Sequence, residues 1–152
     1  MSNPIQGYAE GYYGRLMSWH ERLIVLNALS AAGHNTYYYA PKEDASHRLL
    51  WRTPYDSEWR KNFSQFCRLA KTKQIAVVAG VAPGLDFDFK DLADGPDFTL
   101  LLHKCQQLVS DGADHVSLLM DDIDADFHAR NGGLKSEGYA HAILANALSD
   151  AL

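Results

Sequence analysis

Leu118-Leu119-Met120-Asp121-Asp122-Ile123 is an apolar run that ends abruptly in two adjacent carboxylates. A short continuous apolar run reads as a buried strand. Two acids at the mouth of such a strand are costly to bury unless something pairs with them or uses them. Like charges this close push their pKa values apart, so one carboxylate stays ionised while its neighbour holds a proton, the division of labour an acid–base site needs. On its own, the doublet reads better as a cap, with Asp122 or Asp124 closing the turn ahead of the next helix. Three other strand ends in the chain change that balance.

Working back from Leu118, strand-like and helix-like segments alternate. A short strand spans Ile5 to Glu10. A helix follows from Ser18, where Ser18-Trp19-His20-Glu21 fits a capping box. Its apolar stripe is Leu23, Leu26, Ala28, Leu29 and Ala32, and Gly33 stops it. Thr36 to Ala40 is a β-branched and aromatic strand broken by Pro41, and a polar loop runs from Glu43 to Pro54. Trp59, Phe63, Phe66 and Leu69 recur at helical spacing over Ser57 to Thr72. A third strand, Ile75 to Val81, ends at Pro83-Gly84; a third helix, Phe98 to Ser110, is closed by Gly112. The fourth strand is His115 to Met120 and the fourth helix Ser136 to Leu152, with Ala140, Ile143, Leu144, Ala147 and Leu148 on its apolar face.

This is a β/α unit repeated, and fully apolar strands between amphipathic helices predict a parallel sheet covered by helices. In parallel α/β architectures ligands gather at the C-terminal ends of the strands. Those ends are Glu10-Gly11-Tyr12-Tyr13-Gly14, Pro41-Lys42-Glu43-Asp44, Pro83-Gly84-Leu85-Asp86 and Asp121-Asp122-Ile123-Asp124. Each carries Gly/Pro punctuation or charge on the face where chemistry occurs, and that coincidence outweighs any single motif. Lys42 offers donors for hydroxyls or a counter-charge for the acids, or else it is a loop lysine beside Glu43 and Asp44. Gly11 allows close approach of a ligand to backbone, or else it simply makes a βα turn. Pro83-Gly84 reads better as a turn.

The bulk properties narrow the classes. The chain has 152 residues, 47% hydrophobic and 22% charged, enough for one domain with a real core. A net charge of -5 with no basic cluster argues against a nucleic-acid partner. Eight Tyr and three Trp suit a site that stacks on sugars as well as an ordinary core. Cys67 and Cys105 fall on different helices in no metal or redox pattern and read as half-buried free thiols. The seven histidines form no ligand motif and read as surface or partly buried residues. The N-terminus shows no signal-peptide pattern and no stretch reaches membrane-span length, so no membrane partner and a cytoplasmic location are expected.

The strand-end motifs, taken in order, resemble the catalytic domain of family 84 glycoside hydrolases, the β-N-acetylglucosaminidases that include protein O-GlcNAcases. The family's Glu-Gly-Phe-Tyr-Gly-Arg-Pro-Trp reads here as Glu10-Gly11-Tyr12-Tyr13-Gly14-Arg15-Leu16-Met17. Its Asn-Thr-Tyr-x-Tyr-Ala-Pro-Lys-Asp-Asp reads as Asn35 through Asp44, with Glu43 for the first Asp. His47-Arg48-Leu49-Leu50-Trp51-Arg52, Ala82-Pro83-Gly84-Leu85-Asp86 and Leu118 to Ile123 follow in the family's order. The resemblance implies a retaining hydrolase in which the substrate's own acetamido oxygen attacks the anomeric carbon to give an oxazoline, one of the exceptions to the two-carboxylate scheme. It implies that Asp121 orients the acetamido group, that Asp122 is the general acid and then base, and that Gly11 and Lys42 hold sugar hydroxyls. Tyr13 joins them as a candidate sugar contact. No metal or organic cofactor is implied, and the partner is an N-acetylglucosamine-containing glycoside or glycoprotein.

Leu16 and Met17 replace the family's Pro-Trp. The larger departure is length. The family's domain is a full TIM-type (β/α)8 barrel, and this α/β chain supplies a parallel (β/α)4, its N-terminal half. Residues 1–152 are therefore expected to be a single partial catalytic domain, read first as a piece of a longer protein. The alternatives are a homo-oligomer or partner that closes the sheet, and an open sheet with impaired activity. Two further readings stay open: an inactive half-barrel that binds N-acetylglucosaminides without turnover, and an α/β regulatory domain holding a divalent cation through Asp121, Asp122 and Asp124.

Overall fold

Three of the α-helices begin at a side chain that satisfies their free N–H groups. Ser18 Oγ accepts from the Glu21 N–H while the Glu21 carboxylate accepts from the Ser18 N–H, the expected capping box, and α1 runs Trp19–Ala31. Asp56 caps α2 (Ser57–Thr72), and Ser136 caps α4 (Glu137–Ala151). Helix α3 (Pro96–Ser110) starts instead on a proline, whose missing N–H costs nothing in the first turn. The computed structural model describes residues 4–121, 123, 127, 131 and 133–152.

The strands are β1 (Gly7–Glu10), β2 (Thr36–Tyr39), β3 (Ala76–Val81) and β4 (His115–Leu118). They form one parallel sheet in the order β1-β2-β3-β4, with Glu10 opposite Tyr39 and Tyr39 opposite Ala79. The parallel (β/α)4 architecture read from the sequence is therefore present. Strand ends differ from expectation by one or two residues, although Leu119 N still donates to Val81 O beyond β4. No described helix is long and apolar enough to cross a membrane.

Alternation along each strand assigns two faces. Tyr37, Tyr39, Val77, Ala79 and Val81 are buried beneath the helices, with Tyr37 edge-on to Phe66 at 4.9 Å between ring centroids and Tyr39 edge-on to Phe63 at 5.9 Å. Their neighbours Tyr38, Val78 and Ser117 are only half-buried on the opposite face, where the Tyr38 hydroxyl donates to Ser117 Oγ.

Three expectations need correction. The apolar spacing puts Ala28 and Ala32 on the inner stripe of α1, but both are exposed, and Arg22 is buried. The reason is a buried acid. Glu10 is fully covered, and both its oxygens are taken: Arg22 Nε and Nη2 donate at 2.9 and 2.8 Å, and the Tyr37 hydroxyl donates at 2.7 Å. Second, His47 is fully buried rather than superficial, because its ring is tied to the Gly80 carbonyl. Third, Cys67 and Cys105 are free, as expected, but buried rather than half-buried, and burial pushes both thiols up to about 12.

Removing one partner of a buried ion pair strands the other charge. Arg22→Met is expected to lower the unfolding free energy by about 3–5 kcal/mol, read as a drop in the urea midpoint.

Candidate functional site

The C-terminal ends of the strands carry the candidate residues. Lys42 follows β2, and its ammonium is ion-paired with the Asp121 carboxylate beyond β4. Strand β3 lies between them, so the contact crosses two inter-strand steps of about 4.8 Å each. Only a long side chain makes that span, and Ala82 of the segment after β3 carries just a methyl. Lys42 is mostly sheltered, with 12% of its side chain exposed, whereas Asp121 keeps 43% open to solvent. The loop-lysine alternative does not describe Lys42. Its neighbour Asp44 has a different job, since it accepts from the Tyr39 and Tyr55 hydroxyls at 2.7 and 2.9 Å and from the Ser46 N–H, and so is committed to the core.

The electrostatics follow from this contact. Partial burial raises the Asp121 carboxyl, but the Lys42 ammonium, helped by a backbone N–H, outweighs it and holds the group below the usual carboxylate range. Asp121 is therefore a fixed anion at neutral pH with one exposed side.

Gly11 lies at the same end. Ala40 N donates to Glu10 O and Lys42 N to Tyr12 O, which brings the Gly11-Tyr12 backbone alongside Lys42. A Cβ at Gly11 would meet nothing within 4 Å, and its φ is not in the left-handed region. Neither packing nor conformation demands glycine there, which favours the ligand-approach reading. Tyr13 is 64% exposed in the loop after β1. Asp122 and Asp124 lie outside the described residues, so the structure brings together Lys42, Asp121 and Gly11.

Gly84 turns out to matter sterically. A Cβ on it would come within 2.5 Å of the Asp121 backbone oxygen. The β3 loop and the Asp121 backbone touch, and glycine permits the contact. A cavity of 340 Å³ opens beyond Gly84, lined among others by Asp86, Phe89, Lys90 and Ile123. Neither Lys42 nor Asp121 lines it; the pair sits instead at the C-terminal ends of β2 and β4, with Asp121 open to solvent.

With this geometry in place, comparison with known proteins becomes informative. The beta-N-acetylglucosaminidase family model matches residues 6–152. The chain belongs to the β-N-acetylglucosaminidase family. Curated relatives include protein O-GlcNAcase from Rattus norvegicus and from Mus musculus, each 32% identical over 136 residues that make up 90% of this chain and 14% of the relative. Among solved structures, a mutant O-GlcNAc hydrolase from Thermobaculum terrenum superposes with a TM-score of 0.82 at 25% identity over 95% of this chain and 31% of its own. CpGH84B superposes at 0.72 with 28% identity, covering 89% of this chain and 26% of its own. These neighbours are TIM-barrel glycoside hydrolases, so the four β/α units of this β-N-acetylglucosaminidase family member are a portion of that barrel. The chain spans less than a third of each of these relatives.

Residue-by-residue reading missed Arg22, His47 and the contact made by Gly84. Arg22 leaves no local signal, because it is explained by a partner distant in sequence. His47 and Gly84 did have one, since each lies in a motif that matched the family.

In Gly84→Ala the cost is a clash rather than a backbone strain. The expected result is a loss of about 1–3 kcal/mol in stability by thermal unfolding, together with displacement of Asp121, seen as loss of the ion pair with Lys42 in a crystal structure of the variant.

Proposed function

We propose that this chain carries the acetamido-orienting carboxylate, the general acid and part of the sugar-binding wall of a retaining β-N-acetylglucosaminidase of the O-GlcNAcase type. The observation that carries the reading is the Lys42–Asp121 pair at the C-terminal mouth of the sheet, beside the open backbone of Gly11. An anion held below its normal pKa is the right partner for a substrate N–H: it accepts the hydrogen bond, polarises the amide and makes the acetamido oxygen a better nucleophile. That oxygen attacks the anomeric carbon, the glycosidic bond breaks and an oxazoline forms. In this reading Asp122 protonates the leaving oxygen and then removes a proton from the water that opens the oxazoline. Asp121 remains ionised and steadies the positive charge that develops on the ring. In this reading Lys42 and Gly11 hold hydroxyls, and the exposed Tyr13 supplies a further sugar contact.

A four-stranded sheet with β1 and β4 outermost gives a bound sugar a wall on one side only. Turnover is therefore assigned to the closed barrel. The 152 residues alone are expected to bind an N-acetylglucosaminide and to hydrolyse its aryl derivatives weakly or not at all. Substrates are N-acetylglucosamine-containing glycosides, protein-linked O-GlcNAc among them.

Calorimetry with methyl N-acetyl-β-glucosaminide tests the site: a binding heat that disappears in Asp121→Ala supports it, and no heat from the parent chain sinks it. In the closed barrel, Asp122→Asn is expected to lower kcat by about 10²–10⁴-fold on an aryl glycoside. Because Lys42 holds the Asp121 pKa down, activity that depends on ionised Asp121 is retained below the usual carboxylate range and lost as pH falls through the depressed value. Lys42→Met raises that pKa, so the acid limb of the kcat/KM profile is expected to move to higher pH.

A further inference from the structure

His47 is a buried polar side chain that the mechanism above does not use. It lies in the turn-rich segment between β2 and α2 and is fully covered. Its backbone carbonyl accepts from Ala82 N at 2.9 Å, and its Nδ1 lies 2.8 Å from the Gly80 carbonyl oxygen. A carbonyl oxygen can only accept, so Nδ1 carries the proton. Burial disfavours the charged ring, outweighing the Gly80 hydrogen bond and the attraction of Asp44 and Asp121. The imidazole is then neutral, and Nε2 is a bare lone pair, buried and without a hydrogen-bond partner among the described residues. A buried acceptor left unpaired is a standing cost, so its position matters.

A Cβ built on Gly80 locates the ring. It would meet His47 Cε1 at 3.2 Å, Ala40 Cβ at 2.9 Å and Leu119 Cδ1 at 3.2 Å. Ala40 is one inward-facing position before Lys42, and Leu119 one before Asp121. The ring therefore sits one layer beneath the ion pair, over the strand that the pair bridges, and the charges of Lys42 and Asp121 both act on it. A side chain at Gly80 would press on Ala40, the imidazole and Leu119 together, which favours glycine there.

The ion pair poses a problem that His47 answers. Lys42 holds Asp121 through Oδ2 alone, so a substrate N–H taken by the exposed side of the carboxylate shares that anion between two donors. The ammonium has three hydrogens, so beside Asp121 and a sugar hydroxyl it can still donate to a third acceptor within the protein. We infer that His47 is a positioning residue whose Nε2 accepts a hydrogen from the Lys42 ammonium when Asp121 turns to its ligand, an inference that rests on the glycosidase reading only for the identity of that ligand. A neutral ring is well matched to this role, because it presents a lone pair to a cation without competing with Asp121 as the anion.

Imidazole nitrogen NMR on the 152-residue chain tests this. The parent protein is expected to show His47 neutral with the proton on Nδ1. In Asp121→Asn the freed ammonium should move the Nε2 resonance upfield, and adding Lys42→Met should reverse that shift. A proton found on Nε2, no shift in Asp121→Asn, or the same shift in the double variant would overturn the inference. His47→Asn keeps a donor for the Gly80 carbonyl but lacks Nε2; it should remain folded, at a lower melting temperature because the smaller side chain leaves a void, and bind methyl N-acetyl-β-glucosaminide about tenfold more weakly, the weight of one charge-assisted hydrogen bond. Unchanged binding in that variant also counts against the role. The Nε2 shift without any sugar-binding heat in the parent keeps His47 as the acceptor for Lys42 and removes the glycosidase reading; heat without the shift does the reverse.

Discussion

The carboxylate of Glu10 has no access to water, and the first two strands and the first helix are arranged around that fact. A buried anion survives only when its oxygens are filled. Arg22 from α1 and Tyr37 from β2 fill them, so three separate stretches of chain converge on one residue. The consequence at the strand end is geometric. With Glu10 turned under the helices, Gly11 must present the other side, and the ladder bonds from Ala40 and Lys42 bring the end of β2 up against it. A charge buried in the outer layer thus sets the orientation of backbone that faces the ligand.

The second organising contact, Lys42 with Asp121, works by opposition. It keeps the carboxylate charged against the effect of burial, and it takes up Oδ2 while leaving the other side of the group open to solvent. Small residues shape its surroundings: Gly80 accommodates Ala40, His47 and Leu119, and Gly84 lies against the Asp121 backbone. The tight packing beneath the pair and the open surface above it are two sides of one arrangement, since a side chain at either glycine would displace the groups it touches.

Much of the architecture was legible in the sequence because its signals are local. The Ser18–Glu21 box, the β-branched and aromatic strand before Pro41 and the apolar spacing from Trp59 to Leu69 each depend on residues within a few positions, and each is seen in the structure. The gathering of Lys42, Asp121 and Gly11 was legible for a different reason: parallel strands place their C-terminal ends together whatever the residues are. What the sequence concealed was pairing over distance. Arg22 looks like a solvent-facing helix residue until Glu10 is seen beneath it. His47 looks like one of several scattered histidines until Gly80 is found to have made room for it. Hydropathy assigns each position by itself, and these positions are set by their partners.

The sheet order leaves β1 and β4 on the outside. Each therefore has one side along which its amide and carbonyl groups have no strand beside them among the described residues. Such margins are adhesive, because any extended peptide can complete the ladder. They run in the same direction and belong to one sheet, so a polypeptide that adds further parallel strands at β4 and returns to β1 would seal both at once. A polypeptide that did so would also decide whether these 152 residues stay dispersed, which makes colloidal behaviour and completion of the sheet consequences of the same open seam.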